Sequence, residues 1–285
     1  MMRRYYRYAG MEFAAVMEEA LAPERDGRLE PFRVEAAEDP LVFHFRKVEK
    51  LDPPTGKLLA ENGDLTVYED ARYFQRVGPT WDCAHFRVTG DRKRYDVQLR
   101  ASAYPGRIPA TAILDAFQTE HQIVSRAGVL FHCALVERKG KAILFTAPSQ
   151  TGKSTQAELW RKHRGASVIN GDRAALRMMN GTVLAEGVPF CGSSGCCENR
   201  SLPVEAIVYL AQAPRTTIRK LRGFEAFSRI WEGISVNTWN RKDLELASET
   251  VGRIAGAVPV YHMPCTPDGD AVAVLENTLN KEIQP

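Results

Sequence analysis

The chain has 285 residues, 44% of them hydrophobic and 26% charged, a balance typical of a protein that folds around an apolar core. Its net charge of +3 is too small and too evenly spread to indicate nucleic-acid binding. No apolar run approaches the roughly 18 residues that a membrane crossing needs, so neither a nucleic acid nor a membrane is expected as a partner. The basic N-terminal segment lacks the apolar stretch of a signal peptide, and the six cysteines are widely spaced. Together these features predict a cytoplasmic protein with reduced thiols.

The first hundred residues have a pattern typical of antiparallel β-structure. Short segments in which apolar and polar residues alternate are separated by stretches rich in Gly, Pro, Asn and Asp. The predicted strands cover residues 41–48, 64–70, 73–77, 84–90 and 94–102. No catalytic spacing stands out in this region. Its polar positions are interpreted as sheet-surface residues, among them Asp82, Cys83, His85 and Arg94.

Two prolines and a glycine in residues 103–109 interrupt this pattern. We predict a domain boundary there, with a smaller β-rich domain over residues 1–108 and a second domain over residues 109–285. Residues 110–128 carry apolar side chains at helical spacing, and Gly128 suits the C-terminal end of a helix.

From residue 129 the pattern changes to the alternating strands and helices of an α/β domain. Two apolar segments flank a predicted hairpin turn in residues 138–141, and Asn180-Gly181 suits a second hairpin with a type I′ turn. The predicted helices cover residues 153–163, 223–235, 242–256 and 269–280. The second of these helices carries an apolar stripe that is expected to face the core, formed by Phe224, Phe227, Ile230 and Trp231.

A phosphate-binding loop is predicted between the strand that ends near residue 146 and the following helix. The segment APSQTGKS, from Ala147 to Ser154, fits the pattern Ala/Gly-x4-Gly-Lys-Ser/Thr, with alanine where the first glycine is usual. In such a loop successive backbone N–H groups surround a phosphate, and Gly152 allows the tight turn. The positive end of the helix faces the anion. Lys153 is expected to contact the β and γ phosphates, and the Ser154 hydroxyl to bind Mg²⁺.

We therefore predict a site for ATP and Mg²⁺. The nucleotide-binding residues are Ser149, Gln150, Thr151, Gly152, Lys153, Ser154 and Thr155. Asp172 follows the next short apolar segment and is predicted to bind the Mg²⁺ together with Ser154. The alternatives are an ordinary strand-to-helix turn for the loop and a turn residue for Asp172.

These motifs resemble the HPr kinase/phosphorylase-like group, whose kinase domain is related to phosphoenolpyruvate carboxykinase. The resemblance covers roughly residues 125–280 and rests on LFHCALVERKGKAILFTAPSQTGKST, INGDRAAL, GVPFCGSSG and VPVYHMPCTPDGDAVAVLENTL. It implies an α/β fold in which a P-loop kinase domain with a mixed sheet follows the β-rich N-terminal domain. HPr kinases assemble into rings, which is a reason to test for a homo-oligomer but does not itself predict one.

The resemblance also implies roles for single residues. The family's histidine before the P-loop matches His132, and its pair of acids aligns with Gly171-Asp172 or, less well, with Asp172-Arg173. One family acid contacts Mg²⁺ and the other is the base for the acceptor hydroxyl. Asp172 must then combine both roles, or His132 takes one of them. The implied catalytic residues are Asp172, Lys153 and His132, although His132 is equally compatible with a structural role in a half-buried strand.

The loop over residues 189–200 is rich in glycine, serine and cysteine and is interpreted either as the acceptor side of the site or as a plain surface loop. Its cysteines suit a tight loop of small residues better than a zinc site. Arg173 or Arg200 is expected to neutralise charge on the transferring phosphoryl group.

The leading interpretation is an ATP-dependent kinase that transfers the γ-phosphoryl group of Mg-ATP to a hydroxyl of a peptide or protein serine or of a small molecule. The acceptor itself is not identified, and HPr is not the expected substrate, because the family segment tied to HPr binding is not visible. A P-loop ATPase or nucleotide-binding switch without a phosphoacceptor is the alternative. A binding module that has lost catalysis is a third interpretation.

Overall fold

The structure is a computed structural model and describes residues 1–24, 27–75, 82–87, 93–192 and 195–282. The chain divides into two compact units, Met1–Thr119 and Glu120–Pro285. The first unit is rich in β-structure and the second is α/β with a mixed sheet, which confirms the predicted fold class at this level. The helix that follows the boundary predicted after residue 108 belongs to the first unit.

Within the described residues, the N-terminal unit contains one sheet of nine strands and one complete α-helix. The strands are β1 (Met2–Tyr8), β2 (Met11–Met17), β3 (Arg33–Val34), β4 (Leu41–Val48), β5 (Leu58–Asn62), β6 (Leu65–Tyr68), β7 (Ala71–Gln75), β8 (Asp82–Arg87) and β9 (Arg94–Arg100), and the helix is α1 (Ala110–Phe117). Their order across the sheet is β3-β1-β2-β4-β9-β8-β7-β6-β5. The pairs β2–β4 and β4–β9 are parallel and the others antiparallel.

Three of the predicted strands correspond to β4, β6 and β9, but the β1–β2 hairpin was not predicted. Ala9 and Gly10 form its turn with φ angles of 49° and 65°, the positive values that a two-residue hairpin turn requires. The sequence RRYYRY in β1 lacks the alternation of apolar and polar residues that indicates a strand, because its tyrosines lie on both faces of the sheet. Residues 76–77 and 88–90 of two predicted strands lie outside the described residues.

Aromatic stacking between α1 and the sheet forms the core of this unit. Phe117 stacks on Phe13 with 4.4 Å between ring centroids, and Phe43 stacks on Tyr95 at 4.6 Å. The expectation that Cys83 and His85 lie on the sheet surface is wrong, because both are buried; His85 is the more extreme case. Only 2% of its surface is exposed, and burial lowers the pKa of its imidazole to about 3.

The helix predicted over residues 110–128 is interrupted. Gln118 adopts a left-handed conformation with φ of 51° and separates α1 from α2 (Thr119–Val124). Gly128, predicted as the helix end, is instead the first residue of a strand.

The C-terminal unit contains a mixed sheet with helices on it. Its described strands are β10 (Gly128–His132), β11 (Ala134–Arg138), β12 (Lys141–Thr146), β13 (Ser167–Asn170), β14 (Arg173–Met179), β15 (Thr182–Gly187), β16 (Ser201–Gln212), β17 (Arg219–Leu221), β18 (Ile234–Ser235) and β19 (Val260–Cys265). Its further helices are α3 (Lys153–Arg164), α4 (Gly223–Trp231), α5 (Arg241–Ala257) and α6 (Gly269–Glu282). The strand order is β13-β11-β12-β16-β15-β14-β10-β18, and β19 pairs with both β16 and β17.

Two parallel pairs, β12–β16 and β16–β19, lie in the part of the sheet from which the predicted phosphate loop emerges. The other pairings are antiparallel. Both predicted hairpins are confirmed, because β11 pairs with β12 and β14 with β15 around residues with positive φ. α3 and α6 contact each other, and α3 also contacts β11, β12 and β13. Fully buried Trp160 on α3 anchors this layer near Phe145.

The apolar stripe predicted to face the core on α4 is only partly buried. Ile230 is fully buried, but Phe224 is 82% exposed, and Phe227 and Trp231 are half-buried. The ring of Phe227 stacks on those of Phe224 and Trp231. The buried residues of this helix are Ala226 and Ile230, so the small Ala226 takes the buried position that was predicted for Phe224. None of the helices in the described ranges has the length and hydropathy of a membrane crossing.

Candidate functional site

The predicted phosphate loop connects the end of β12 to the beginning of α3, as its motif requires. Gln150 and Gly152 have φ angles of 63° and 113°, so the chain turns twice through left-handed conformations between Ala147 and the helix. Only a glycine adopts the value at residue 152 without strain. A backbone in which left-handed residues interrupt the chain in this way becomes concave, and a concave backbone lets several N–H groups point at one anion.

Lys153 closes this loop through its side chain. Its Nζ donates hydrogen bonds to the carbonyl oxygens of Ala147 at 3.0 Å and Pro148 at 3.4 Å. The residue is only 8% exposed, and desolvation lowers the pKa of its ammonium group although nearby Asp172 acts in the opposite direction. The positive charge is therefore held at the centre of the loop by neutral backbone oxygens.

The first amides of α3 are available to a ligand. The Gln156 amide donates to the Gly152 carbonyl at 2.9 Å and is the first to join the helical pattern. Among the described residues, no acceptor receives a hydrogen bond from the amides of Lys153, Ser154 or Thr155, as is usual at a helix start. The side chains of Ser154 and Thr155 are exposed at this end of the helix.

The other predicted binding residues form the outer part of the loop. Ser149 and Gln150 are exposed, and Thr151 is half-buried. The Thr151 amide donates to the Pro148 carbonyl at 3.3 Å, so this N–H stabilises the turn itself. The Gln150 carbonyl accepts a hydrogen bond from the Gln212 side chain at 3.4 Å, which ties the loop to the end of β16.

A cavity of about 310 Å³ opens beside the loop. It is lined by residues of the loop and of α3 together with Gln212, Ala213 and the segment Cys265–Pro267. Gln156 contributes a polar group to it. This residue is 2% exposed, its Nε2 donates to the Thr266 carbonyl at 3.4 Å, and its Oε1 has no hydrogen-bond partner among the described residues.

His132 and Asp172 lie side by side at the ends of β10 and β13. Their Nε2 and Oδ1 atoms are 3.5 Å apart, and the Asp172 carboxylate is also 3.6 Å from Nε of Arg173. Backbone contacts hold the pair, because the Cys133 amide donates to the Asp172 carbonyl at 3.0 Å and Thr146 Oγ1 donates to the His132 carbonyl at 3.0 Å. Thr146 ends the strand before the loop, so the loop and the His132–Asp172 pair share one edge of the sheet.

Electrostatic interactions link this pair to the loop lysine. Burial, and then the charge of Lys153, lowers the pKa of His132, while Asp172 raises it. The imidazole is therefore neutral near pH 7 and has one nitrogen able to accept a proton. The structure thus brings together Lys153, His132 and Asp172, the three residues to which the sequence resemblance assigns catalytic roles.

Two residues that position Asp172 were not recognised in the sequence. Asn170 is fully buried; its Oδ1 accepts hydrogen bonds from the amides of Asp172 and Arg173, both at 2.9 Å, and its Nδ2 donates to the Val188 carbonyl at 2.8 Å. Gly192 lies against Asp172, since a Cβ added to it would be 3.0 Å from the Asp172 Cβ. The Asn-Gly-Asp sequence is typical of a side-chain-supported turn, which was the available signal for Asn170.

The loop over residues 189–200, predicted as a possible acceptor side of the site, brings Gly192 to Asp172. The contact of Gly192 does not extend to every polar residue predicted in this loop. Ser193 and Ser194 lie outside the described residues. The Arg200 guanidinium is 2.8 Å from Glu137 and also contacts Glu198, so of the two candidate arginines the structure brings Arg173 to Asp172. In the described part of the chain the cysteines are free thiols and no group of three His, Cys, Asp or Glu side chains is arranged to hold a metal ion.

A family model described as SynChlorMet cassette protein ScmC matches residues 110–279, which is more than half of the chain. The chain belongs to the ScmC family. The matched stretch of this ScmC family member contains the whole phosphate loop, His132 and Asp172, whereas β1–β9 lie outside it.

A solved structure, that of the Hpr(Ser) kinase/phosphatase from Coxiella burnetii, is similar to this chain with a TM-score of 0.33 and 13% identity. The match covers 54% of this chain and 97% of that chain. This likeness is too weak to transfer a fold or a residue role. The matched family is ScmC and not an HPr kinase family, so the resemblance to HPr kinases remains an interpretation of the motifs.

Proposed function

We propose that this member of the ScmC family is an ATP-dependent kinase that transfers the γ-phosphoryl group of Mg-ATP to a hydroxyl of a peptide or protein serine or of a small molecule. The observation that carries the proposal is the closed loop from Ala147 to Gly152, with the Lys153 ammonium group at its centre and the His132–Asp172 pair at the same edge of the sheet.

The loop is suited to the phosphates of a nucleotide. The amides at the start of α3 that have no backbone acceptor among the described residues belong to the same segment as the Lys153 ammonium group, and a bound phosphate would replace the carbonyl oxygens of Ala147 and Pro148 as the partner of the lysine. The cavity of about 310 Å³ beside the loop favours a donor with a nucleoside over pyrophosphate. Gln156 Oε1 is the polar atom there that lacks a partner.

The chemistry of the available ligands also fits Mg²⁺. Ser154 offers a hydroxyl oxygen and Asp172 a carboxylate whose side-chain contacts with the described residues are the long ones of 3.5 Å and 3.6 Å, and hard oxygen ligands of this kind are those that Mg²⁺ prefers. These two residues would hold the ion, which neutralises phosphate charge when bound.

The His132–Asp172 pair is placed to handle the proton of the acceptor. During transfer the acceptor oxygen forms a bond to the γ phosphorus, the bond from that phosphorus to the β–γ bridging oxygen breaks, and ADP leaves. The hydroxyl proton passes to the Asp172 carboxylate or to the neutral His132 imidazole. Arg173 lies beside Asp172 and can compensate charge on the transferring group.

Access of water favours the alternative of a P-loop ATPase or nucleotide switch. The side chains of His132 and Asp172 are 40% and 31% exposed, so a water molecule can occupy the position of the acceptor oxygen. The same residues would then activate water, and free phosphate would be released without an acceptor.

Both functions can be tested with the full chain, Mg²⁺ and [γ-³²P]ATP, by measuring released phosphate and the label transferred to peptide and metabolite fractions. Labelled acceptor supports the kinase, whereas phosphate release alone supports the ATPase. Asp172→Asn should lower either activity by about a hundredfold or more, while Glu249→Gln, an exposed carboxylate on α5, should leave it unchanged. Full activity in Asp172→Asn would refute the assigned role of Asp172.

A further inference from the structure

A cavity of about 690 Å³ lies on one face of the N-terminal sheet, within the β-rich unit. Its volume is in the range of small-molecule and peptide sites, about 300–1,000 Å³. It is lined by side chains from β4, β8 and β9 and by the segment between β4 and β5. The residues that line the cavity lie outside the stretch that the ScmC family model matches, and nothing in the proposed kinase chemistry uses them.

The floor of the cavity is a preorganised polar network. Arg46 donates to both carboxylate oxygens of Asp96 and to Asp52, with distances of 2.9 to 3.2 Å. Gln98 is 1% exposed and bridges the same two acids, donating to Asp52 at 2.6 Å and to Asp96 at 3.0 Å. These four side chains satisfy one another and hold the floor in one geometry.

A third acid of the lining is also saturated. Asp70 accepts hydrogen bonds from the backbone and hydroxyl of Thr55, at 2.9 and 2.6 Å, and from the amide of Gly56 at 2.9 Å. The acids of the cavity are therefore engaged by the protein itself and do not call for a cationic ligand.

Two basic side chains of the lining have no partner among the described residues, Arg94 and His44. His44 lies directly across from Asp96 in the β4–β9 register, and Arg94 precedes Asp96 by two residues, so all three are on the same face of the sheet. The surroundings of His44 are positive. Burial, then Arg3 and Arg94, lowers the pKa of its imidazole, and only Asp96 opposes this effect.

The cavity lining also includes apolar side chains. The partly buried Phe86 ring packs edge-on against Tyr73 at 5.6 Å between centroids and lies against a small cluster of buried apolar residues, and Pro53 adds an exposed apolar surface. On this sheet face a ligand therefore meets the Arg94 guanidinium group, which no described residue pairs, together with the Phe86 ring on the neighbouring strand.

We propose that this cavity binds a carboxylate carried by an apolar or aromatic group, with the Arg94 guanidinium as its bidentate partner, His44 as a second donor and Phe86 as the apolar contact. The planar fork of arginine matches a carboxylate. Asp52, Asp70 and Asp96 line the same cavity; Arg46 offsets part of their charge, and the remainder repels a dianion about twice as strongly as a monoanion, so a singly charged carboxylate is favoured over a phosphate. The C-terminal residue of a peptide and a small aromatic or aliphatic acid share this chemistry.

The test is calorimetric titration of the full chain with N-acetylphenylalanine, its carboxamide and inorganic phosphate. We expect the acid to bind and the other two to bind at least about tenfold more weakly, because a hydrogen bond to a charged group is lost or a dianion is repelled. A tetrapeptide ending in phenylalanine distinguishes the two sources: tighter binding than the free acid assigns the site to peptides, and weaker binding assigns it to small acids.

Variants connect the binding to this cavity. Arg94→Gln should weaken binding of the acid about tenfold or more, while Lys50→Gln, an exposed lysine of the same unit outside the lining, should not. If Arg94→Gln also changes the melting temperature, Arg94→Lys keeps the charge and removes only the fork, and weaker binding is still expected. The proposal is overturned if the acid does not bind, if acid and carboxamide bind alike, if phosphate binds as tightly, or if Arg94→Gln binds as the wild type does.

Discussion

Replacing Asn170 by alanine removes three hydrogen bonds from a fully buried position next to the candidate site. The amides of Asp172 and Arg173 lose their acceptor, and the Val188 carbonyl loses its donor. A net contribution of about 1 kcal/mol for each bond predicts a loss of about 3 kcal/mol in the free energy of unfolding. For a unit of this size that loss lowers the melting temperature by about 6–12 °C.

The substitution should also affect the site well below the melting temperature. Asn170 anchors the backbone of Asp172, so its loss allows the carboxylate to shift relative to Lys153, and a misplacement of about 1 Å costs on the order of a hundredfold in rate. Calorimetric melting, together with label transfer or phosphate release, whichever the wild type catalyses, tests both effects on the same samples. The matched control is Asn277→Ala, the same truncation at an exposed position of α6, which should change neither. If Asn170→Ala melts and turns over like Asn277→Ala, the account of how Asp172 is positioned is wrong.

Three further substitutions have defined outcomes. Gly192→Ala adds a Cβ at a φ of 53° and 3.0 Å from Asp172, so it should destabilise the protein by about 1–2 kcal/mol and reduce turnover. Its control, Gly252→Ala, adds a Cβ in open space on α5 and should stabilise the protein by about 1 kcal/mol. Equal melting temperatures of the two variants would contradict this prediction. His85 titrates near pH 3 when folded and near 6.5 when unfolded, so its stabilising effect is lost as the pH falls from 6.5 towards 3, by about 1.4 kcal/mol per pH unit. Denaturant titrations should show a weaker acid destabilisation in His85→Gln, and an identical pH dependence would argue against a buried neutral imidazole. Because the pKa of His132 is lowered, turnover should fall on acidification only below pH 6.5. His132→Gln should reduce turnover about tenfold or more and abolish this fall. An unchanged pH profile in the variant would exclude His132 as the base.

The sequence was most informative where local chemistry determines the backbone. Gly152 and the Asn180-Gly181 turn require left-handed conformations, and these positions correctly predicted the loop before α3 and the β14–β15 hairpin. The helix predicted over residues 153–163 corresponds to α3, Lys153–Arg164, because its boundary signals are local.

The sequence was least informative where distant contacts decide the outcome. The helical spacing on α4 gave no indication that Ala226 rather than Phe224 is buried, and His85 was assigned to the surface although it lies on a buried sheet face across from the fully buried Val97. Asn170 and Gly192 were missed for the same reason. The Asn-Gly-Asp sequence offered a local signal for the turn at Asn170, but the contacts of Asn170 with Val188 and of Gly192 with Asp172 join segments that are distant along the chain.

The central claim is that the Ala147–Gly152 loop and Lys153 bind the phosphates of a nucleotide. The most direct measurement is isothermal titration of the full chain with Mg-ATP, compared with Lys153→Ala and with Lys162→Ala, an exposed lysine in the last turn of the same helix. We expect binding by the wild type and by Lys162→Ala, and binding weakened by about 30-fold or more in Lys153→Ala, because a charge-assisted contact worth about 2 kcal/mol or more is lost. Absence of binding to the wild type, or equal affinity in Lys153→Ala, would contradict the account.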